Sequence, residues 1–251
     1  MRKLAALFVI ITLSACASSS TRALSKSERA QLLLEIANGS LAEGDPTGAL
    51  QNLVAAEKID PTLPEIYHSK ALAFYAKHDY PAAIVEAKHA LKLRPDYDDA
   101  NDTLGKLLLD TGDYADAVVP LTAAANDPLY RGAYKALTNL GILYYRQSQF
   151  AKAKTYFRQA TLASPSIACI ASYYLGNLSL RESRFKDAIR HYDQATRGFC
   201  GGFADAHLAV GIAYQEDRQF DLARKKFLEV QKQYPNTPVA DEAISRLRTL
   251  P

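Results

Sequence analysis

The sequence predicts an all-α fold, a right-handed superhelical solenoid of six helix pairs closed by a C-terminal capping helix. Three observations lead to this prediction: a pattern that recurs six times, an alanine at one place in every copy, and a helix-stopping residue near the end of most copies. Each copy carries a small residue in its first helix, and these residues are 34 to 36 positions apart: Ala37, Ala71, Gly105, Gly141, Gly176 and Gly211.

Within a copy, small and large residues alternate as two packed helices require. With the small residue numbered as position 8, position 20 is always alanine: Ala49, Ala83, Ala117, Ala153, Ala188 and Ala223. A larger side chain there would push the two helices apart. Position 24 usually holds a bulky side chain that can fill the space beside position 8: Leu53, Ala87, Leu121, Phe157, Tyr192 and Phe227. The pattern therefore predicts interlocking helix pairs.

Two further positions set the limits of the helices. Position 17, expected at the turn between the helices, is Pro46, Tyr80, Tyr114, Phe150, Phe185 and Phe220. Position 32, expected to stop the second helix, is Pro61, Pro95, Leu129, Pro165, Cys200 and Pro235; proline is typical of such stops. The predicted repeats are residues 30–63, 64–97, 98–133, 134–168, 169–203 and 204–237. Residues 238–251, with apolar Val239, Ala243 and Leu247 among charged residues, are predicted to form the capping helix.

The N-terminus has a different character. Arg2 and Lys3 precede an apolar stretch at residues 4–13, which is too short to span a bilayer. This order is typical of a signal peptide, predicted at residues 1–15. The stretch ends in Leu-Ser-Ala-Cys at residues 13–16, which resembles the lipobox of bacterial lipoproteins and implies lipidation of Cys16. Residues 16–29 are then the lipidated tether to the first repeat.

The repeated unit resembles the tetratricopeptide repeat, a helix-turn-helix family, at about six positions per copy over residues 30–235. The resemblance implies a stack whose helix pairs share a continuous core and leave a concave groove. In such stacks, positions 2, 5, 9 and 12 of each first helix face the groove, which binds segments of other proteins. Leu34 and Leu72 stand where the carboxylate-clamp variant of the family has polar groups. We therefore do not expect a carboxylate clamp.

Read at positions 5, 9 and 12, this register gives the predicted groove residues, which are mainly apolar and aromatic in the first repeats. They are Leu34, Asn38, Leu41, His68, Leu72, Tyr75, Lys106, Leu109, Ile142, Tyr145 and Tyr173, with Asp102, Thr138 and Asn177 beside them. An apolar groove suits an amphipathic helix or a hydrophobic strand of a protein partner. The alternative is that some of these side chains only pack between neighbouring first helices.

Cys169 and Cys200 form an even pair once Cys16 is assigned to the lipid anchor. They are positions 1 and 32 of repeat five, and in an antiparallel helix pair these positions lie at the same end. We expect a disulfide in an oxidising compartment, which would contribute about 3 to 4 kcal/mol by closing the intervening loop. Two buried free thiols are the alternative.

Several classes of function are not supported. The net charge of +3 is small, and the basic residues alternate with acidic ones, so no nucleic-acid partner is expected. The five histidines have no metal-ligand spacing, and the glycine-rich run at 198–202 lacks the lysine and preceding strand of a phosphate-binding loop. We expect no enzyme activity, no metal, no cofactor and no small-molecule substrate.

A lipobox, six tetratricopeptide repeats and a longer step between copies three and four together resemble one family. The junction at residues 124–131 and 137–141 is similar to that of the type IV pilus biogenesis and stability lipoproteins, the pilotin family of PilF, PilW and Tgl. The resemblance implies a lipid-anchored protein on the periplasmic face of the outer membrane. It implies a scaffold that binds the secretin of the type IV pilus system and assists its localisation and multimerisation, or acts later in pilus stability.

The cysteine pair is not general in that family, and other functions stay open. A tetratricopeptide lipoprotein of the periplasm could instead be a scaffold for cell-wall synthases or for outer-membrane protein assembly. Ala17 follows the lipidated cysteine where inner-membrane lipoproteins carry Asp, which favours the outer membrane.

Overall fold

The computed structural model of the protein describes residues 24–251, and in this part of the chain it contains α-helices, one short 3-10 turn and no strands. The predicted signal peptide, Cys16 and most of the predicted tether lie outside the described residues. The helices are α1 (Lys26–Ala42), α2 (Pro46–Ile59), α3 (Pro64–Ala76), α4 (Tyr80–Leu93), α5 (Asp98–Thr111), α6 (Tyr114–Asn126), α7 (Ala133–Arg146), α8 (Phe150–Ala163), α9 (Cys169–Arg181), α10 (Phe185–Gln194), α11 (Ala204–Glu216), α12 (Phe220–Gln233) and α13 (Pro238–Thr249). The prediction of a tetratricopeptide solenoid is confirmed.

The helices of each pair interlock through the predicted small and large residues. Phe157 and Tyr192 are almost fully buried, and so is the alanine at position 20 in every repeat. A methyl group added to Gly141 would overlap the ring of Phe157, and one added to Gly176 would overlap the ring of Tyr192. Glycine at position 8 therefore makes room for the aromatic ring of the second helix.

The turn inside each pair uses one left-handed residue at position 15. Two of the six are glycines, Gly44 with φ of 81° and Gly112 with φ of 89°. The other four are non-glycine residues with φ between 55° and 60°: His78, Ser148, Ser183 and Arg218. The left-handed conformation reverses the chain within three residues, so that the second helix starts beside the end of the first.

The stacking order defines two faces. First helices of neighbouring pairs contact one another (α1 with α3, α3 with α5, α5 with α7, α7 with α9), whereas second helices make no comparable contact in the part of the chain that the structure describes. The first helices thus form the inner, concave face, called here the concave groove. At the C-terminal end, α13 buries Ala240 and Ala243 against α12, and it acts as the predicted capping helix.

Two sequence-based boundaries differ from the structure. The tether was expected to reach residue 29, but α1 begins at Lys26, because Ser25 and Glu28 form a capping box. The Glu28 backbone N–H donates to Ser25 Oγ at 3.2 Å, and the Ser25 N–H donates to Glu28 Oε2 at 2.7 Å. Position 17, expected in the turn, is the first residue of each second helix.

Repeat five departs from the regular pattern. Its second helix, α10, has only 10 residues and ends at Gln194, whereas α2, α4, α8 and α12 have 14. A 3-10 turn at Gly198–Cys200 replaces the missing helical turn. Cys200 is buried there and is paired with Cys169 at the start of α9, with Cα atoms 5.5 Å apart. The two cysteines meet where the register predicts, and the distance suits a disulfide.

Candidate functional site

A hollow of about 430 Å³ opens in the middle of the concave groove, between α3, α5, α7 and the start of α9. We call it the central hollow. Leu72 is 37% exposed, Ile167 39% and Ile170 49%, so three large aliphatic side chains meet solvent around one opening. Together with other apolar and aromatic groups they make its wall: Leu72, Tyr75, Leu107, Tyr134, Ile167 and Ile170. An apolar concavity of this kind is typical of a binding site.

One rim of the central hollow carries a fixed polar group. Tyr75 Oη donates to Asp110 Oδ2 at 2.9 Å, and Lys106 Nζ donates to Tyr75 Oη at 3.1 Å and also to Asp110. The ammonium group lies 5.5 Å from the centre of the Tyr75 ring. Burial acts against the charge of Lys106, but the hydrogen bonds to Asp110 and Tyr75 together with the Asp110 charge outweigh it and raise the pKa of the amine. The amine therefore stays charged at neutral pH.

Hydrogen bonds also join successive first helices along the floor of the concave groove. Ser69 Oγ donates to Asn38 Oδ1 at 2.8 Å. Further along, His68 Nε2 is 3.0 Å from Thr103 Oγ1. These contacts fix the spacing of the first helices, so the groove exists before any partner binds.

Asp102 continues this series at the central hollow, where its Oδ1 accepts a hydrogen bond of 3.0 Å from Asn139 Nδ2. Burial raises the pKa of the Asp102 carboxyl to about 6, although the hydrogen bond from Asn139 acts in the opposite direction. A carboxyl group whose pKa is higher in the folded state than in the unfolded state destabilises the fold once it is ionised. Its unfavourable contribution therefore develops as the pH rises from about 4 to above 6.

We expect Asp102→Asn to remove this pH-dependent contribution while keeping an acceptor for Asn139. The free energy of unfolding of the variant, relative to that of the natural protein, should rise by about 1 to 3 kcal/mol between pH 4 and pH 7.5. Urea denaturation at the two pH values measures this difference, in which the contributions of the other titrating groups cancel. A difference independent of pH would show that the carboxyl titrates in the folded protein as it does in water.

The structure brings three of the predicted groove residues together at the central hollow, namely Leu72, Tyr75 and Lys106, with Asp102 and Thr138 beside them. Asn38 is exposed on α1, and Leu34 and Leu41 are half-buried against the core of repeat one. His68 is also half-buried, held by Thr103 and by the hydroxyl of Tyr97. Some of the predicted groove residues of repeats one to three therefore face solvent, whereas others are partly covered by neighbouring side chains.

Leu109 was predicted to face the groove, and this is wrong. It is only 1% exposed and belongs to the core between α5 and the neighbouring helices. Leu109 lies near the end of α5, where the side chains of the same core cluster cover it. Leu109 is therefore not available to a partner.

The alternative of packing between first helices holds for the later repeats. Ile142 packs against the cores on both sides of it. The Tyr145 ring lies 5.0 Å from that of Tyr174, and the Tyr173 ring lies 5.1 Å from that of Phe203. These aromatic contacts hold repeats four to six together. The open part of the groove is thus the central hollow rather than its whole length.

Two of the residues that we did not predict lie at the start of first helices. Lys135 and Ile170 occupy position 2 of repeats four and five, a groove-facing position of the same register. Reading that position would have found both. Ile167 lies in the link between α8 and α9, where the register makes no assignment.

Within residues 24–251, no helix combines the length and the hydropathy that crossing a bilayer requires. The same part of the chain holds no group of three or more His, Cys, Asp or Glu side chains arranged to bind a metal ion.

Comparison with known proteins identifies the repeats and one related protein. The family model "Tetratricopeptide repeat" matches residues 68–134, 138–199 and 173–238. The chain is 25% identical over 218 residues to the type IV pilus assembly protein PilF of Pseudomonas aeruginosa, an alignment that covers 84% of this chain and 83% of PilF.

Two solved structures share the fold. That of Pseudomonas aeruginosa PilF superposes with a TM-score of 0.76 at 22% identity, over 88% of this chain and 99% of the other. That of PilW, described as a widely conserved type IV pilus biogenesis factor, gives a TM-score of 0.74 at 19% identity, over 86% of this chain and 98% of the other.

Proposed function

Because the chain belongs to the tetratricopeptide repeat family, we propose that it is a protein-binding scaffold of type IV pilus biogenesis. One observation carries the proposal: the alignment with PilF covers 84% of this chain and 83% of PilF. Tetratricopeptide repeats occur in proteins of many functions, so a match confined to a few repeats would support only the fold. Here the alignment extends over 218 residues, so it is not confined to a few repeats.

We place the protein at the periplasmic face of the outer membrane, held there by lipid on Cys16. The support is the sequence alone: an apolar stretch of signal-peptide length followed directly by Leu-Ser-Ala-Cys at residues 13–16. Two or more acyl chains hold a protein on a bilayer durably. The anchor would keep the solenoid, and any segment in its groove, beside the target membrane.

The partner proposed for the concave groove is the secretin, the outer-membrane ring of the pilus system. An apolar side chain of a secretin segment would enter the central hollow and contact Leu72, Ile167 and Ile170, all of which face solvent. Lys106 and Lys135 at the rim offer charged groups for the polar residues of the same segment. Apolar contacts at the centre with charges at the edge are the usual anatomy of a protein interface.

The mechanism proposed is holding and local concentration, without chemistry. A secretin subunit with an exposed apolar segment is prone to aggregate in the periplasm. Binding covers that segment, and the lipid anchor raises the effective concentration of subunits at the membrane where they assemble. Both effects favour localisation and multimerisation of the ring.

The experiment that tests this function is a deletion strain. We expect its outer-membrane fraction to lose detergent-resistant secretin multimers while secretin monomers remain detectable by immunoblot. The natural gene should restore the multimers, whereas the Cys16→Ala gene should not, because the unanchored scaffold cannot concentrate subunits at the membrane. Unchanged multimers in the deletion strain would contradict the secretin assignment.

Leu72→Asp tests the groove itself. Leu72 is partly exposed, so an aspartate side chain at this position can reach solvent and the stack should stay folded. Desolvating the new carboxylate against an apolar partner should weaken secretin capture at least tenfold, a cost of more than about 1.4 kcal/mol. Pull-down of the purified secretin measures this.

Val85→Asp is the matched control for Leu72→Asp. Val85 is 65% exposed on α4, the second helix of the same repeat, and it lies outside the concave groove. We expect this variant to capture the secretin as the natural protein does. Equal capture by both variants would exclude the central hollow as the binding site.

The other scaffold functions are distinguished by the same strains. If secretin multimers are unaffected and the protein instead co-purifies with cell-wall synthases or with barrel-assembly components, the protein serves those systems. No feature of the concave groove favours these partners over the secretin.

A further inference from the structure

A second concavity lies outside the concave groove, at the end of repeat five where α10 is shortened. It has a volume of about 800 Å³ and opens between the end of α8, α9 and the 3-10 turn Gly198–Cys200. We call it the repeat-five notch. Its main lining residues are Arg158, Leu162, Pro165, His191, Arg197 and Phe199.

The notch exists because of the local sequence of repeat five. Since α10 stops at Gln194, the last helical turn present in the other second helices is missing. Ser172 and Leu175 of α9, each only 3% exposed, form the floor of the notch. A regular helix of 14 residues would fill this space.

Two large apolar side chains stand beside this gap in contact with water. Phe199 is 87% exposed and Leu162 is 80% exposed, and both line the notch. An exposed aromatic side chain beside a concavity is typical of the residues that anchor protein interfaces.

The turn that carries Phe199 is held in place on both sides. Cys200 is buried and paired with Cys169, and its backbone N–H donates to the Arg197 carbonyl at 3.0 Å. On the far side, the Gly201 carbonyl oxygen accepts a hydrogen bond of 3.2 Å from the Tyr234 hydroxyl. Phe199 is therefore presented by a fixed turn, and a partner would lose little entropy in ordering it.

The charge of the notch is positive. No carboxylate is among its lining residues, and Arg158 forms no ion pair with any residue from 24 to 251. Arg197 has only a loose contact, 3.6 Å from Asp193, and its side chain is 76% exposed. Burial lowers the pKa of His191, so at neutral pH the charge comes from the two arginines.

From these observations we propose that the repeat-five notch is a second docking site, which binds an acidic segment of a partner protein through an apolar side chain flanked by carboxylates. The apolar side chain enters the notch beside Phe199 and Leu162, and the carboxylates pair with Arg158 and Arg197. A bilayer surface fits less well, because a flat surface cannot fill a hollow of about 800 Å³. A second copy of this notch would bring arginines against arginines.

Photo-crosslinking in living cells tests the proposal. Phe199 is replaced by the photoreactive p-benzoylphenylalanine in the full-length, membrane-anchored protein, and the cells are irradiated. We expect an adduct with a protein, and mass spectrometry of the adduct should show an attached segment with an apolar residue among several Asp or Glu residues. The control places the same photoreactive residue at Val119, which is 74% exposed on α6 and does not line the notch. It should give no such adduct.

Changes of charge make the test sharper. Arg158→Glu in the Phe199-labelled protein should lower the adduct yield roughly fivefold, as expected for replacing an attraction by a repulsion at an exposed site, whereas Arg158→Lys should retain most of it. Circular dichroism verifies that each variant is folded. The proposal is overturned if no protein adduct forms, or if Phe199 attaches to lipid or to a second copy of the chain. It is also overturned if the attached segment is neutral or basic, or if Arg158→Glu does not change the adduct yield.

Discussion

Phe157→Ala is expected to lower the free energy of unfolding by about 3 to 5 kcal/mol, the largest stability effect among the substitutions proposed. Phe157 is fully buried, its ring covers Gly141, and it stacks on Tyr174 of the next repeat with ring centres 5.0 Å apart. Removing the ring leaves a cavity in repeat four and also weakens the contact with repeat five. Urea denaturation followed by circular dichroism measures the loss.

Phe199→Ala is the matched control, because it makes the same chemical change at a phenylalanine that is 87% exposed. Its free energy of unfolding should differ from that of the natural protein by less than about 0.5 kcal/mol. If Phe157→Ala were equally harmless, the interlocking of positions 8 and 24 would not be what holds the helix pairs together.

Removal of the cysteine pair is expected to have the second-largest effect. The two cysteines are 31 residues apart and are joined in the structure. If they form a disulfide in an oxidising compartment, the Cys169→Ala/Cys200→Ala variant should lose about 3 to 4 kcal/mol of unfolding free energy, because its unfolded chain is no longer constrained. Urea denaturation of both proteins, prepared without the lipid, measures the difference.

A reducing agent provides the control for this second experiment. It should destabilise the natural protein by a similar amount and leave the double-alanine variant unchanged. A natural protein with two titratable thiols and no response to the reductant would instead support the alternative of two buried free cysteines.

Much of the fold could be predicted from the sequence because each structural position is sampled six times. One alanine beside a bulky residue says little, but alanine at position 20 in all six copies indicates that two helices approach closely at that point in every repeat. The prediction failed at the ends of helices, where a single local contact determines the first or last residue. The capping box of Ser25 and Glu28 extends α1 toward the N-terminus, and no repeat pattern reports on it.

The binding site could be predicted only in part. The register places Leu72, Tyr75 and Lys106 on the groove side of their helices, and in the structure they line one hollow. The register cannot tell how much of each side chain the next repeat covers, since this depends on the curvature of the stack. Leu109 and Tyr145 were therefore assigned to the groove, although contacts with neighbouring elements cover all of the first and part of the second.

Repeat five shows the other limit of the sequence pattern. The missing proline at Cys200 marks an irregular exit, but it does not reveal that α10 ends at Gln194 or that Phe199 faces water. The shortened helix and the notch beside it come from local packing. They appear only when the end of α8, the start of α9 and the 3-10 turn are seen together.

The left-handed residue at position 15 bears on how such a chain diverges. Four of the six turns adopt this conformation without glycine, at His78, Ser148, Ser183 and Arg218. Since side chains so different share one backbone geometry, the helices on either side impose the turn, at a cost of about 1 to 2 kcal/mol per residue. Mutations on these turns can therefore accumulate without loss of the fold, which this chain shares with the PilF structure at 22% identity.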